Sequence, residues 1–212
     1  MKCLVVVAHP LPDSLCANLA THVIADLQQS GHEVMVDDLY RESFEPALTW
    51  GERQSYYLPA YKPGGDVNAA MDRLLSADML VLVFPTWWFG FPAILKGWFD
   101  RVWSPGIAFD HTETREAIAP RLTGLKHAIA VTTLGSPQWV DLLVMRRPVY
   151  RQIKYAILRS CAPQCRFKML SLYRSEHVTP ERVTDFKREI SQALAQYPAA
   201  TTAPAPAAAA ER

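Results

Sequence analysis

Two rhythms of hydrophobic positions alternate along this chain. Lys2–Ala8 (KCLVVVA) is a β-branched apolar run closed by His9-Pro10, the pattern of a strand buried on both faces. Leu15, Leu19, Val23, Ile24 and Leu27 follow at helical spacing, with Ser14 placed to cap the helix and Gly31 to end it. Glu33–Leu39 predicts a second strand, Asp66–Ser76 a short helix, and Met79–Phe84 a third strand. Pro92 opens a helix with Ile94, Leu95, Trp98, Phe99 and Val102 on its apolar face, where Gly97 permits close packing. His127–Leu134 predicts a fourth strand, broken by Gly135-Ser136-Pro137. Trp139–Ser160 is helical by spacing, interrupted at Pro148, and Arg166–Tyr173 alternates as a fifth strand. Thr179 caps a last helix that ends near Tyr197. Two stretches have no period and read as loops: 41–65, with Trp50, Tyr56, Tyr57 and Tyr61, and 104–121, with Phe109 and His111.

Strands alternating with helices imply an α/β fold with a parallel sheet covered on both sides. Five strands suit a flavodoxin-like, doubly wound five-stranded sheet of order 2-1-3-4-5, with residues 1–197 as one domain. Pro198–Arg212 is Ala/Pro/Thr-rich and is expected to form a disordered tail.

In such sheets the ligand sits beyond the C-terminal strand ends, at the switch point between the first and third strands. That rule selects three loops. His9–Ser14 brings a hydroxyl and free amides to a helix N-terminus, an anion site. Pro85–Gly90 supplies aromatic faces: Trp87, Trp88 and Phe89 on an extended chain would point to opposite sides, so at least one should line a pocket or an interface. Thr132–Pro137 lets backbone amides approach a polar ring edge. An anionic tail joined to a flat heterocycle, as in a flavin nucleotide, would satisfy all three. Taken singly, each signal has a plainer reading: His9 as a strand-end residue, Ser14 as an ordinary cap, the tryptophans as core.

Composition narrows the classes. Of 212 residues, 50% are hydrophobic and 20% charged, enough to build a core. A net charge of +1 gives no global attraction to nucleic acid or anionic lipid. The dinucleotide glycine fingerprint, the phosphate loop, the zinc-protease motif and the nucleophile elbow are all missing. Cys3, Cys16, Cys161 and Cys165 form no CxxC pair and suit free thiols in a reducing compartment, with no metal site. Met79–Leu95 carries no charge, but Pro85, Gly90 and Pro92 argue against a membrane span. The N-terminus lacks a signal-peptide pattern, so a soluble cytoplasmic protein is expected. Arg146, Arg147, Arg151, Lys154 and Arg159 read as a basic helix, either a solvated face or a site for an acidic partner or the phosphate of NADPH.

The stretches VVAHPLPDSLCANLA (6–20), ADMLVLVFPTWWFGFPAILKGWFDRVWSPGIAF (77–109) and AVTTLGSP (130–137) resemble the flavin-dependent NAD(P)H:quinone oxidoreductase family, also called DT-diaphorase-like or flavodoxin-2-like. The resemblance implies a homodimer, a flavin (commonly FAD, with FMN as the alternative) and two-electron transfer from NAD(P)H to quinones or similar flat acceptors, with ping-pong kinetics from one shared slot. It places His9, Ser14, Leu15 and Cys16 at the flavin phosphate side. Pro85, Thr86, Trp87, Trp88 and Phe89 would border the isoalloxazine, and Thr132, Thr133, Leu134 and Gly135 its polar edge. Trp88, Phe89, Phe109 and His111 would meet the acceptor. The family's Thr-Thr-Gly-Gly reads here Thr132-Thr133-Leu134-Gly135, and 138–147 lacks the Tyr and His of the family's proton relay, so no side chain is assigned as acid or base. Some relatives are ancillary subunits of potassium-efflux systems, which makes a regulatory flavin-binding module the alternative.

Overall fold

The computed structural model describes residues 1–58, 61–112 and 117–198. In chain order the main elements are β1 (Lys2–Val7), α1 (Leu15–Gln29), β2 (Glu33–Asp38), α2 (Trp50–Ser55), α3 (Asn68–Ser76), β3 (Met79–Pro85) and α4 (Ala93–Val102). Then come β4 (Phe109–His111), β5 (Ile118–Pro120), β6 (His127–Leu134), α5 (Pro148–Arg151), α6 (Arg159–Cys161), β7 (Arg166–Tyr173) and α7 (Pro180–Leu194). The five long strands form one parallel sheet of order β2-β1-β3-β6-β7. With the small β4-β5 pair set aside, this is the expected 2-1-3-4-5 order.

Alternating side chains of each strand enter opposite faces. Leu4, Val6, Leu80, Leu82, Phe84, Ala128 and Ala130 join residues of α3 and α4 in one core layer. Cys3, Val5, Val7, Val81, Val83, Ile129 and Val131 join α1 and α7 in the other. The helix ends follow the sequence. Ser14 Oγ accepts the Ala17 amide at 3.1 Å. At the far end Gly31 takes φ 77°, its amide donating to Gln28 while that of His32 donates to Leu27, the Schellman arrangement that leaves the left-handed position to glycine. Gly97 is a close-approach site: a Cβ there would come within 2.2 Å of the Pro46 carbonyl oxygen.

Three stretches differ from the sequence expectation. The region 41–65 is not all loop: it contains α2, held by a capping box in which Glu52 N–H donates to Thr49 Oγ1 and Thr49 N–H donates to Glu52 Oε2. Its anchor is the guanidinium of Arg101 on α4, 1% exposed, which donates to both Glu52 oxygens, both Asp66 oxygens and the Glu45 carbonyl. Burial alone would raise the Glu52 carboxyl, but the hydrogen bonds from Arg101, Thr49 and Gly64 outweigh it and lower the pKa to about 2. The 104–121 stretch contains the β4-β5 hairpin. After β6 the chain forms π-helical turns at Val140–Val144 and Gln152–Leu158 in place of a continuous helix. Arg146 and Arg147 lie before α5 in left-handed conformations, and the Arg147 guanidinium stacks 4.2 Å from the Tyr150 ring centroid. The basic run is therefore not one helical face. The tail expected to be disordered lies, beyond Pro198, outside the described residues. No helix among the described residues is long and apolar enough to cross a membrane.

Candidate active site

Parallel register aligns the C-terminal ends of β1, β3 and β6. Val7 pairs with Val83, and Pro85 with Thr133. The Ala8 amide donates to the Val83 carbonyl and the Thr86 amide to the Thr133 carbonyl, so the three selected loops emerge side by side. His9 and Trp87 approach edge-on, with ring centroids 6.3 Å apart. His9 Nδ1 accepts the Leu11 amide at 3.1 Å, which stiffens the first loop.

The second loop is not extended. Trp87 and Gly90 exchange backbone hydrogen bonds, and Trp88 and Phe89 between them have φ of 51° and 56°. Positive φ at both central positions is a type I′ turn, normally made by Asn-Gly. The turn lifts Trp88 to 98% exposure and leaves Trp87 42% exposed, so neither indole is core. A cleft opens between this turn and the third loop, lined by Thr86, Trp88, Phe89, Leu134, Gly135 and Ser136. Two hydroxyls near it, Thr86 Oγ1 and Ser136 Oγ, are buried and make no hydrogen bond among the described residues. Orphaned hydroxyls in a native protein call for a ligand or a water.

The remaining candidates divide. Leu134 and Gly135 line the cleft. Thr132 does not reach it: the side chain is fully buried and its hydroxyl bonds to Ser171 across the sheet. Thr133 contributes its carbonyl to Thr86, and Pro85 is buried as the last residue of β3. At the first loop, Ser14 caps α1 and leaves the first-turn amides of Leu15 and Cys16 without intrahelical partners. The Cys16 side chain is turned into the core, and burial raises its thiol to about 12, so only its backbone can meet a ligand. Beside His9 a second hollow is lined by Val7, His9, Ala17, Asp38, Tyr40 and Arg41. Phe109 and His111 are not brought to this edge. They sit on the β4-β5 hairpin, where His111 meets Tyr57, Phe109 and Tyr56 at 4.9, 5.4 and 6.0 Å between ring centroids. Phe109 lines a separate cavity with Trp103 and Ile118. The acceptor contacts expected of these two residues therefore do not share a cleft with Trp88 within one chain. No group of His, Cys, Asp and Glu among the described residues is placed to hold a metal ion. Sequence reasoning missed the Ser136 hydroxyl. Its only signal was its place directly after the glycine of the third loop.

The chain as a whole resembles known proteins. A family model described as having a flavodoxin-like fold matches residues 1–200. The chain belongs to this flavodoxin-like family. It is 39% identical over 108 residues to an uncharacterized NAD(P)H oxidoreductase, YcaK, of Escherichia coli, covering 48% of this chain and 52% of that protein. It is 29% identical over 198 residues to NAD(P)H dehydrogenase [quinone] 1 of Rattus norvegicus, covering 85% of this chain and 71% of that protein. The crystal structure of Smu.1420 from Streptococcus mutans superposes with a TM-score of 0.77 at 28% identity, covering 91% of this chain and 98% of that one. The aligned part spans 52%, 58% and 65% of the first three curated relatives.

Proposed function

We propose that this protein is a flavin-dependent oxidoreductase that carries two electrons from NAD(P)H to quinones or similar flat acceptors. The observation that carries the reading is the cleft at the C-terminal sheet edge, with its aromatic turn and its two orphaned hydroxyls. Relatives named as NAD(P)H oxidoreductases and a quinone dehydrogenase support it.

The residues present fit a flavin. Thr86 Oγ1 and Ser136 Oγ are free to bond the polar edge of a heterocycle, and Phe89 and Leu134 provide apolar wall. The α1 N-terminus with the amides of Leu15 and Cys16 suits a phosphate, since helix N-termini carry partial positive charge. A bound flavin would supply hydride acceptance and donation, chemistry that no side chain here provides. The protein's part is to hold and orient. Trp88 presents an open indole face on which a nicotinamide or a quinone would stack, and Leu134 and Gly135 wall the opposite side of the cleft. Because donor and acceptor would use this one slot in turn, steady-state rates should show ping-pong behaviour.

The exposed apolar run Leu142, Leu143, Val144 and Met145, at 37, 74, 60 and 39% exposure, supports a homodimer in which a second copy covers this run. The choice between FAD and FMN rests on the hollow beside His9: occupation by an adenosine group would favour FAD. Purifying the protein and titrating it with each flavin tests the reading. Failure to bind either one refutes it.

A further inference from the structure

Along the same edge, past the cleft, lies a larger cavity of about 400 Å³ that the proposed flavin chemistry leaves unused. It is lined by Pro137, Gln138, Trp139, Tyr173, Arg174 and Arg182. The third loop joins the two spaces: Gly135 and Ser136 wall the cleft, while Pro137 to Trp139 wall the cavity. Three or four residues span at most ~14 Å of extended chain, so one elongated ligand can reach from one to the other.

The cavity pairs an aromatic platform with a free cation. Trp139 is 57% exposed. The Arg174 guanidinium has no salt bridge or hydrogen bond among the described residues, unlike Arg182, which is tied to Glu189 at 2.7 Å. Arg174 is held in a left-handed backbone conformation, φ 55°, that L residues adopt at a cost. Its amide donates to the Ser136 carbonyl at 3.2 Å, which fixes it against the loop that walls the cleft. The cavity floor is fixed as well, since Tyr173 Oη donates to the buried Asp141 carboxylate at 2.9 Å. The nearby Glu176 carboxylate lies on the Gly135 side.

A flat, electron-rich ring beside an unpaired, planar, bidentate donor is a receptor for an aromatic base that carries a phosphate. We propose that this cavity takes the adenosine 2′-phosphate end of NADPH: the adenine stacks on Trp139 and the 2′-phosphate is gripped by Arg174. The proposal rests on the oxidoreductase reading above and adds to it a preference for NADPH over NADH. It assigns the phosphate to Arg174 and not to the basic run 146–159, where Arg147 and Lys154 are occupied by Tyr150.

Two experiments test it. In the first, binding of adenosine 2′,5′-bisphosphate and of 5′-AMP to the flavin-loaded protein is measured by calorimetry, with no need for turnover. The bisphosphate should bind about tenfold more tightly, as one charge-assisted contact warrants, and Arg174→Gln should abolish the difference. In the second, steady-state rates compare the two donors. Arg174→Gln should lower the NADPH-over-NADH ratio of kcat/KM about tenfold, and Trp139→Ala should raise KM for both donors. Equal binding of the two nucleotides by the unaltered protein overturns the proposal. So does an Arg174→Gln variant that weakens FAD binding and leaves the donor ratio unchanged, which would hand the cavity to the flavin's own adenosine. A protein that discriminates the nucleotides yet oxidises neither donor would sink the oxidoreductase reading and leave the phosphate site standing.

Discussion

Replacing Trp88 by Asn should make the protein more stable and less active. Trp88 is 98% exposed, so removing the indole surrenders essentially no buried area. Its φ of 51° places Cβ in the left-handed region, at roughly 1–2 kcal/mol for an ordinary L residue. Asn occupies that region more readily because its short polar side chain bonds locally. The net gain should be about 1 kcal/mol, which raises Tm by ~2–4 °C in a chain of this size. Thermal unfolding must be followed in flavin-free protein, because a bound ligand adds its own stabilisation. Turnover of a soluble naphthoquinone should move the other way. Losing one aromatic stacking contact removes ~0.5–1.5 kcal/mol, a fall in kcat/KM of roughly twofold to tenfold. A lower Tm would show that the indole packs in solution and that the strain argument fails. Unchanged quinone turnover would remove Trp88 from the acceptor slot.

Thr86→Val and Ser136→Ala each delete an orphaned buried hydroxyl. Flavin-free stability should hold or rise, whereas flavin affinity measured by fluorescence quenching should fall by up to about tenfold per hydroxyl. Arg101→Ala strands two carboxylates around an emptied buried site and should cost roughly 3–5 kcal/mol in chemical denaturation. The same network sets an acid limb. Glu52 titrates lower when folded, so its stabilisation is complete above its unfolded pKa near 4.5 and should drain away as pH falls from there towards 2. A denaturation midpoint that stays flat across that window would contradict it. Leu143→Asp should shift the proposed dimer to monomer in light scattering. A monomer already present in the unaltered protein would dismiss the apolar run as a dimer face.

The sheet was legible because its strands are either apolar runs or regular alternations with sharp ends: β6 and β7 run from His127 to Leu134 and from Arg166 to Tyr173, as the pattern predicts. The three edge loops followed from topology alone. What escaped was set by long-range contacts. Helix α2 lacks an apolar period because it is anchored by Glu52 to Arg101, far along the chain. Its local trace was the Thr49…Glu52 capping spacing. The β4-β5 hairpin consists of short strands whose outer one is exposed throughout, so no alternation marks it. Trp88-Phe89 adopts a turn that neither residue favours, and no propensity argument predicts it. Thr132 and Cys16 sit at site positions by number, but one points along the sheet and the other into the core.

The central claim is most directly tested by anaerobic titration of the flavin-loaded protein with NADPH, monitored through the flavin's visible absorption band. The account predicts that one equivalent of donor bleaches the band in a two-electron step and that one equivalent of naphthoquinone restores it. A protein that takes up no flavin, or whose flavin band NADPH and NADH leave unchanged, would contradict it.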